Sequence, residues 1–460
     1  MSTYSRRDDR IIGKIVFSAT VTNQSPMLIG KGEGEISDAE VMLIDGKPYI
    51  PASSFAGALR SFCKIYGVGT SEQESFNQFW GSEIKKGDKV TYQSHLNLED
   101  LICAKDATLT IRDGVRIDYA TGTAEPKGKY DYQLVEPGAT FTLYGEVTIR
   151  NSMDADYFKK MTATLEDITK HEDFRVGALT SFGFGKLKVN DWKIAVFNFG
   201  ETGNKTEAKK WFEFLQTKKW DDSGATSNTQ KFVINSGKTF RLKAQFKLKS
   251  ALIIGAYNED AAKPDKSHLM SNGKPVITAK SIKGALRHRA VKILNTLGLP
   301  IDSLNGFMGW VDDKGKSDKA QKSRLRIEES ELKGVTAMMQ NRIRIDRFTG
   351  GLMSGALFNS EPVWRNSEDT FELAFIIRNY QKWEAALLLH LLKDLWTEDL
   401  AIGGEKNVGR GILQGQSATI TWGSKTATIA RDGDSPVKLT GNMKDLKEFN
   451  EALTLKHETV

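Results

Sequence analysis

The chain has little cysteine: Cys63 and Cys103 are the only two in 460 residues. Two thiols do not make a zinc site alone, and they give no disulfide framework. Histidine is also sparse, with six scattered residues, and there is no His-Glu-x-x-His zinc helix. Neither a Walker loop nor a Gly-x-Ser-x-Gly elbow is present. No apolar run approaches the ~18 residues that mark a membrane span. The first ten residues, Met1 to Arg10, are polar and lack the apolar core of a signal peptide. The expectation is a reduced, cytoplasmic setting with no membrane partner.

What is there begins with charge. Lysine and arginine total 65 against 58 acidic residues, a formal net charge of +7. That modest excess suggests a polyanion partner without establishing one.

The stronger signal is that the chain contains itself twice. The segment Gly46 to Arg60 returns as Gly273 to Arg287, with ten of fifteen residues identical at an offset of 227. Phe79 and Gly81 map to Phe307 and Gly309, and Arg116, Asp118 and Thr121 map to Arg344, Asp346 and Thr349, all at an offset of 228. Gly183 and Gly185 map to Gly409 and Gly411, at 226. Collinear matches over half a chain imply two homologous modules. The expected division is 1–199, a linker at 200–236, and 237–460. Each module, at roughly 200 residues, is long enough to bury its own core. The period is far beyond the ~20–50 residues of a solenoid repeat.

Each module reads as α+β, in the order strand, helix, strands, helix, strand. That is the split βαβ, ferredoxin-like pattern. In the first module the expected strands are Ile11 to Thr22, Thr140 to Arg150 and Lys186 to Val196. The helices are one beginning at Ser53 or Ser54 as N-cap and one over Asp154 to Lys170. In the second, strands are expected near Phe240 to Ile254, Thr370 to Ile377 and Ile412 to Trp422, with helices from Lys280 to about Leu294 and from Trp383 to Trp396. A short basic helix is expected over Glu207 to Trp220, and a polar, weakly helical tail after Asp432. The long insertion after each first helix points to function.

Four constellations carry possible chemistry. Gly57 with Arg60, and Gly284 with Arg287, sit at the start of the repeated helix. There a glycine admits close approach, free amides attract phosphate, and an arginine one turn on adds a paired contact. His288, Arg289 and Lys292 extend the basic surface in the second copy only. The alternative is a tightly packed helix with solvated charges. Second, Gly177, Gly183 and Gly185, and Gly403, Gly404, Gly409 and Gly411, punctuate loops carrying Lys186 and Arg410. These are either a phosphate cradle or tight helix-to-strand connections. Third, Asp38 and Asp265 each lie in the loop after the first strand, twelve residues before Ile50 and Ile277. Such a carboxylate binds a metal or acts in phosphodiester cleavage; a loop aspartate at a turn is the commoner use. Val41 stands where His268 stands in the second copy, so His268 carries no shared role. Fourth, the two Arg-Ile-Asp-x-x-Thr-Gly segments suggest a protruding hairpin with an apolar tip that wedges between bases, or else an interdomain packing loop. The cluster Gly30 to Gly34 is no dinucleotide loop: it opens no helix, and Glu33 and Glu35 would repel a pyrophosphate.

Together these residues resemble the RAMP superfamily of CRISPR-associated proteins. The carriers are Ile50-Pro-Ala-Ser-Ser-Phe-Ala-Gly-Ala-Leu-Arg60, the Arg-Ile-Asp segments and Thr180-Ser-Phe-Gly-Phe-Gly-Lys186. More narrowly, each module resembles a backbone subunit of a type III effector, and the tandem resembles the fused subunits of subtype III-D variants. The resemblance implies two ferredoxin-like (RRM-like) RAMP domains, each with an inserted thumb hairpin. It implies a palm that grips guide RNA through Ser53, Ser54, Gly57, Arg60 and Lys186 in one module. The counterparts are Ser281, Lys283, Gly284, Arg287, Arg289, Gly409 and Arg410 in the other. Thumbs carrying Arg116, Asp118 and Thr121, and Arg344, Asp346, Arg347 and Thr349, would interrupt the guide–target duplex. Asp38 and Asp265 would be the catalytic residues that cut complementary target RNA with a divalent metal, Mg2+ or Mn2+. Other subunits of the effector complex are implied partners. Two rival functions remain open: a non-catalytic structural RNA-binding subunit, and an endoribonuclease that processes guide precursor. The second module departs from the pattern at Thr278 and Lys280.

Overall fold

The structure is a computed structural model that describes residues 9–32, 37–83, 91–118, 121–200, 203–220, 229–235, 237–257, 264–310, 320–431 and 437–454. Glu33, Gly34 and Glu35, residues 221–228 of the expected linker, and most of the N-terminal ten residues lie outside that set. Two compact units emerge. The first comprises Met1–Ile111, Gln133–Ala178 and Phe184–Ser236; the second comprises Arg112–Tyr132, Leu179–Gly183 and Gly237–Val460.

The first unit is built on an antiparallel sheet of Ile11–Asn23, Leu96–Leu98, Thr140–Arg150 and Leu187–Asn198. In chain order these lie second, third, first, fourth across the sheet. The alternation in the first strand explains its two faces: Ile15, Phe17, Ala19 and Val21 are buried while Lys14, Ser18, Thr20 and Thr22 are half-exposed. Helix Ala52–Tyr66 packs through Phe55, Leu59, Phe62, Cys63 and Tyr66, a helical stripe. Helix Ala155–Lys170 is capped by Asp154, whose carboxylate accepts from the Asp156 and Tyr157 amides. The expected serine cap of the first helix is not formed. The helix starts at Ala52 after Pro51, without a side-chain cap, and the Ala52 amide donates instead to Asp100 Oδ1 at 2.7 Å. Within the expected linker, helix Lys205–Thr217 lays Trp211 and Phe214 against Phe197 and Val16.

The second unit repeats the order with Leu325–Ile327, Phe371–Arg378, Thr239–Leu248 and Leu413–Trp422, then adds Lys425–Ala430 and Lys438–Gly441 to the last edge. Helices Ala279–Thr296 and Lys382–Trp396 cover it. Here Thr278 caps the helix, accepting from the Ser281 amide at 3.3 Å. The polar, weakly helical tail expected after Asp432 forms a strand and a helix within its described part, 437–454. Helix Met443–Thr454 buries Phe449 against Phe240, Tyr380 and Trp422, and Trp422 Nε1 donates to Asp445.

The repeat extends to backbone detail. Gly81 and Gly309 share φ values of 86° and 87°, and a methyl on either would meet a serine amide at 3.3 Å. The amides of Met42 and Leu269 donate to Ile29 and Ile254 at 2.8 and 2.9 Å.

Candidate nucleic-acid interface

Each insertion forms a hairpin: Leu109–Ile117 pairs with Ala124–Val135, and Gln340–Ile345 with Leu352–Glu361. Their tips explain the repeated Asp-x-x-Thr-Gly. Asp118 Oδ1 accepts from the Thr121 amide at 2.7 Å, and Asp346 Oδ1 accepts from the Phe348 and Thr349 amides at 2.7 and 3.0 Å. The bond from Phe348 makes an Asx turn at Asp346, and Gly122 and Gly350 follow at φ 70° and 68°. The Thr349 amide first, then that of Phe348, holds Asp346 below the usual carboxylate range. Asp118, Thr121, Asp346 and Thr349 therefore shape the turn. Arg116, Arg344 and Arg347 are exposed. So are Ile343, Ile345, Leu352 and Leu357, and Phe348 is fully so at 101%.

At the start of the repeated helix, Ser53, Ser54, Gly57 and Gly284 are exposed. A methyl on Gly57 or Gly284 would meet no described residue within 4 Å beyond its own helix and chain neighbours. Helical glycine costs roughly 0.5–1 kcal/mol relative to alanine, and no close contact among the described residues accounts for it here. The tight-packing alternative therefore does not hold at either glycine. Arg60 lies half-buried beside Glu83 at 3.8 Å. Arg287 Nη1 donates to Gly309 O at 2.7 Å, and Arg289 Nε to Asp394 Oδ2 at 2.6 Å. Ser281 receives a hydrogen bond from the Thr278 hydroxyl at 3.0 Å.

Two expected RNA contacts are corrected. Lys283 is buried, and its ammonium donates to Ser323 Oγ at 2.7 Å and Leu325 O at 3.1 Å while lying 5.0 Å from the Phe182 ring centre. Arg410 is buried too; it binds Glu405 at 2.6 Å and Gln340, with Arg342 on the same glutamate at 2.9 Å. It ties the glycine loop to the base of the second hairpin. Both side chains point inward because protein partners already satisfy them.

The glycine loops are tight connections at their turning points. A methyl on Gly177 or Gly403 would lie 2.5 Å from Leu28 O or Ile253 O, and one on Gly185 or Gly411 would lie 1.9 Å from Val176 O or Ile402 O. Gly409 is exposed with open space around it, and Lys186 is exposed.

Both aspartates lie on loops bonded to the returning strand of a hairpin. Both are exposed. Ala39, next to Asp38, accepts at its carbonyl from the Gln133 amide at 2.8 Å, and the Val41 amide donates to Gln133 Oε1 at 3.1 Å. Asp265 Oδ2 accepts from the Asn359 amide at 3.1 Å, and the Asp265 amide donates to Asn359 Oδ1 at 2.6 Å. Each loop is thus fixed to the returning strand of its hairpin. Beyond Asp265, His268 is buried, and burial lowers its pKa to about 4. It accepts at Nδ1 from the Ile254 amide and donates from Nε2 to Val276 O at 3.0 Å, a role in holding the loop. Among the described residues no group of three or more His, Cys, Asp or Glu is placed to hold a metal.

Sequence reasoning missed three features of the second unit. Arg112 and Glu329 form a buried ion pair. Lys280 Nζ lies 3.4 Å from the Tyr132 ring centre, 4.7 Å from that of Tyr130 and 5.7 Å from that of Phe182. Burial, then the Arg112 charge, brings its pKa down to about 7. Last, Lys406 joins the basic run of the helix. His288 bonds the Ile117 backbone and is lowered first by burial and next by the Lys406 charge; Lys406 itself is lowered by burial and by Lys292. Like charges that depress one another make a region an anion would relieve. The one sequence signal for the second was the change from Ser53 to Lys280 between the copies.

A family model described as the RAMP superfamily matches residues 20–188 and 245–414. The chain belongs to the RAMP superfamily. The two matches cover both repeats and span the hairpins, the glycine-bearing helices and both aspartates. RAMP membership makes this a CRISPR-associated RNA-binding protein whose partners are RNA and the other subunits of a ribonucleoprotein complex. No curated protein matches the chain. Among the described residues no helix is long and apolar enough to cross a membrane.

Proposed function

We propose that this RAMP protein is a double backbone subunit of a type III CRISPR effector, similar to the fused subunits of subtype III-D. Its two ferredoxin-like palms hold adjacent stretches of one guide RNA in the cytoplasm, and it cuts complementary target RNA at two spaced positions. The observation that carries this reading is the like placement of Asp38 and Asp265. Each stands exposed on a loop fastened to the strand returning from a hairpin. A hairpin that parts guide from target and a carboxylate at its base make one cutting station, and the chain has two.

The chemistry is attack of a 2′-hydroxyl on the neighbouring phosphorus. The 2′-oxygen loses its proton as it bonds phosphorus, and the 5′-oxygen leaves and takes up a proton. The products are a 2′,3′-cyclic phosphate and a 5′-hydroxyl. A hard divalent cation such as Mg2+ or Mn2+ would neutralise charge on the phosphate. One carboxylate with RNA oxygens and water suffices for such an ion, so Asp38 and Asp265 fit as single ligands. Guide contacts are to the backbone, since any guide sequence must be accepted, and binding weakens with salt as counterions are no longer released to gain.

The test is the assembled complex with complementary RNA. Asp38→Ala should abolish one cut and Asp265→Ala the other, with guide binding unchanged. If both variants cut at the wild-type positions and rates, the aspartates are not catalytic and the chain is a structural RNA-binding subunit. Processing of guide precursor by the isolated protein would favour the third reading.

A further inference from the structure

We infer that Asn359 is a positioning residue for Asp265, holding the aspartate's backbone amide and so fixing where its carboxylate stands beside the second hairpin. The inference rests on Asp265 being the cutting residue of the second repeat.

The contact is reciprocal. The Asp265 amide donates to Asn359 Oδ1 at 2.6 Å, and the Asn359 amide donates to Asp265 Oδ2 at 3.1 Å. The pair stands one residue before a short parallel register, in which Lys266 faces Ser360 and Ser267 faces Glu361. On its other edge the same segment, Lys266–His268, pairs antiparallel with Gly255–Tyr257. His268 then anchors the far end through Ile254 and Val276. Within the described residues, Asn359 is therefore the fastening nearest to Asp265 itself. Everything that follows Asp265 is already fixed by strand pairing.

The two halves of the contact do different work. The Asn359 amide restrains the carboxylate by engaging one of its oxygens. The Asn359 side chain restrains the backbone from which the carboxylate springs. Removing that side chain leaves the backbone donor in place, and the released Asp265 amide lies at an exposed position where water replaces the lost partner. Folding should barely notice, yet a carboxylate displaced by as little as 1 Å loses about a hundredfold in rate.

In the first repeat the loop that carries Asp38 is also bonded to its hairpin. There Gln133 supplies both the amide to Ala39 and the side-chain oxygen to Val41. Asn359 lies in the second repeat, on the strand returning from the second hairpin. Substitution of Asn359 should therefore leave the first cut untouched, which makes that cut an internal control.

The experiment uses the assembled complex and a target RNA with both cut positions, under single-turnover conditions. Asn359→Ala should slow the second cut about tenfold to a hundredfold with the first cut and RNA affinity unchanged. Asn359→Asp keeps a side-chain oxygen at the same place and should recover most of the rate. A second readout does not depend on cutting: hydrogen exchange of the Asp265 amide should quicken in Asn359→Ala and not in Asn359→Asp. If Asp265→Ala abolishes the second cut while Asn359→Ala cuts it at the wild-type rate, the positioning role is wrong and the catalytic reading stands. If Asp265→Ala cuts normally, both are overturned. Loss of both cuts in Asn359→Ala would mark a general structural defect and also overturn the inference.

Discussion

Arg112 and Glu329 meet in a two-point ion pair, Nη1 to Oε2 at 2.6 Å and Nη2 to Oε1 at 3.3 Å, with side chains 3% and 7% exposed. They are 217 residues apart in sequence and belong to the same compact unit. A buried pair of this kind is costly to break from one side, by about 3–5 kcal/mol, and much cheaper to replace as a pair by apolar residues. Arg112→Met should therefore expose residues 112–132 to protease and to hydrogen exchange, whereas Arg112→Met with Glu329→Leu should restore much of the protection. Equal effects of the single and double changes would mean that the pair does not hold this segment.

The same pair shows where sequence reading stops. The repeat announces itself through glycines, serines and arginines at fixed offsets, because turns and caps depend on local chemistry that sequence displays. Helix Ala155–Lys170, for example, is legible from its Asp154 cap and its apolar period. Arg112 and Glu329 have no such local signature, since nothing near either residue names the other. Lys283 and Arg410 were misread for a related reason. A basic residue beside a glycine looks the same whether its charge faces RNA or a buried carbonyl, and only the packing of Ser323, Leu325 and Glu405 around them decides. The helix in the tail was legible, but its packing was not: Met443, Leu446, Phe449, Ala452 and Leu453 are scattered among polar residues, and of these Phe449 and Leu453 are buried.

Lys283 makes the stability of the second unit depend on pH. Burial, with Arg287 second, brings its pKa from the ordinary 10.5 to about 7. Between those values the unfolded chain holds a proton that the folded chain lacks, so stability rises with pH through that window. The slope is at most about 1.4 kcal/mol per pH unit for one such group. Lys280 is displaced in the same direction to about 7, although its three ring faces favour the ammonium and soften the effect. Urea midpoints should climb from pH 7 to pH 9 in the wild type and climb less in Lys283→Met. A wild-type midpoint that falls over this range would contradict the buried placement.

Gly57 and Gly284 offer a test in which stability and binding move in opposite directions. Both are helical with no described neighbour within 4 Å of an added methyl, so alanine should stabilise the helix by roughly 0.5–1 kcal/mol. If RNA approaches this face closely, a larger residue at the same place weakens binding. Gly57→Leu and Gly284→Leu should leave the melting temperature unchanged or higher while lowering guide RNA affinity. Reduced stability would show that the face is packed after all, and unchanged affinity would remove these helices from the interface.

The tip of the second hairpin separates shape from contact. Asp346 accepts two backbone amides and sets the turn, whereas Phe348 is fully exposed. Asp346→Ala should loosen the tip through the lost hydrogen bonds and quicken exchange at the Phe348 and Thr349 amides. Phe348→Ala removes no packed surface and should leave the fold's stability within error of the wild type. If the tip wedges between bases, each stacked aromatic contributes roughly 1–3 kcal/mol, so Phe348→Ala should weaken capture of complementary RNA while guide binding holds. A change in guide binding of similar size would place Phe348 against the guide alone. No change in either would leave the exposed ring without a role in nucleic-acid binding and return the hairpin to a packing element.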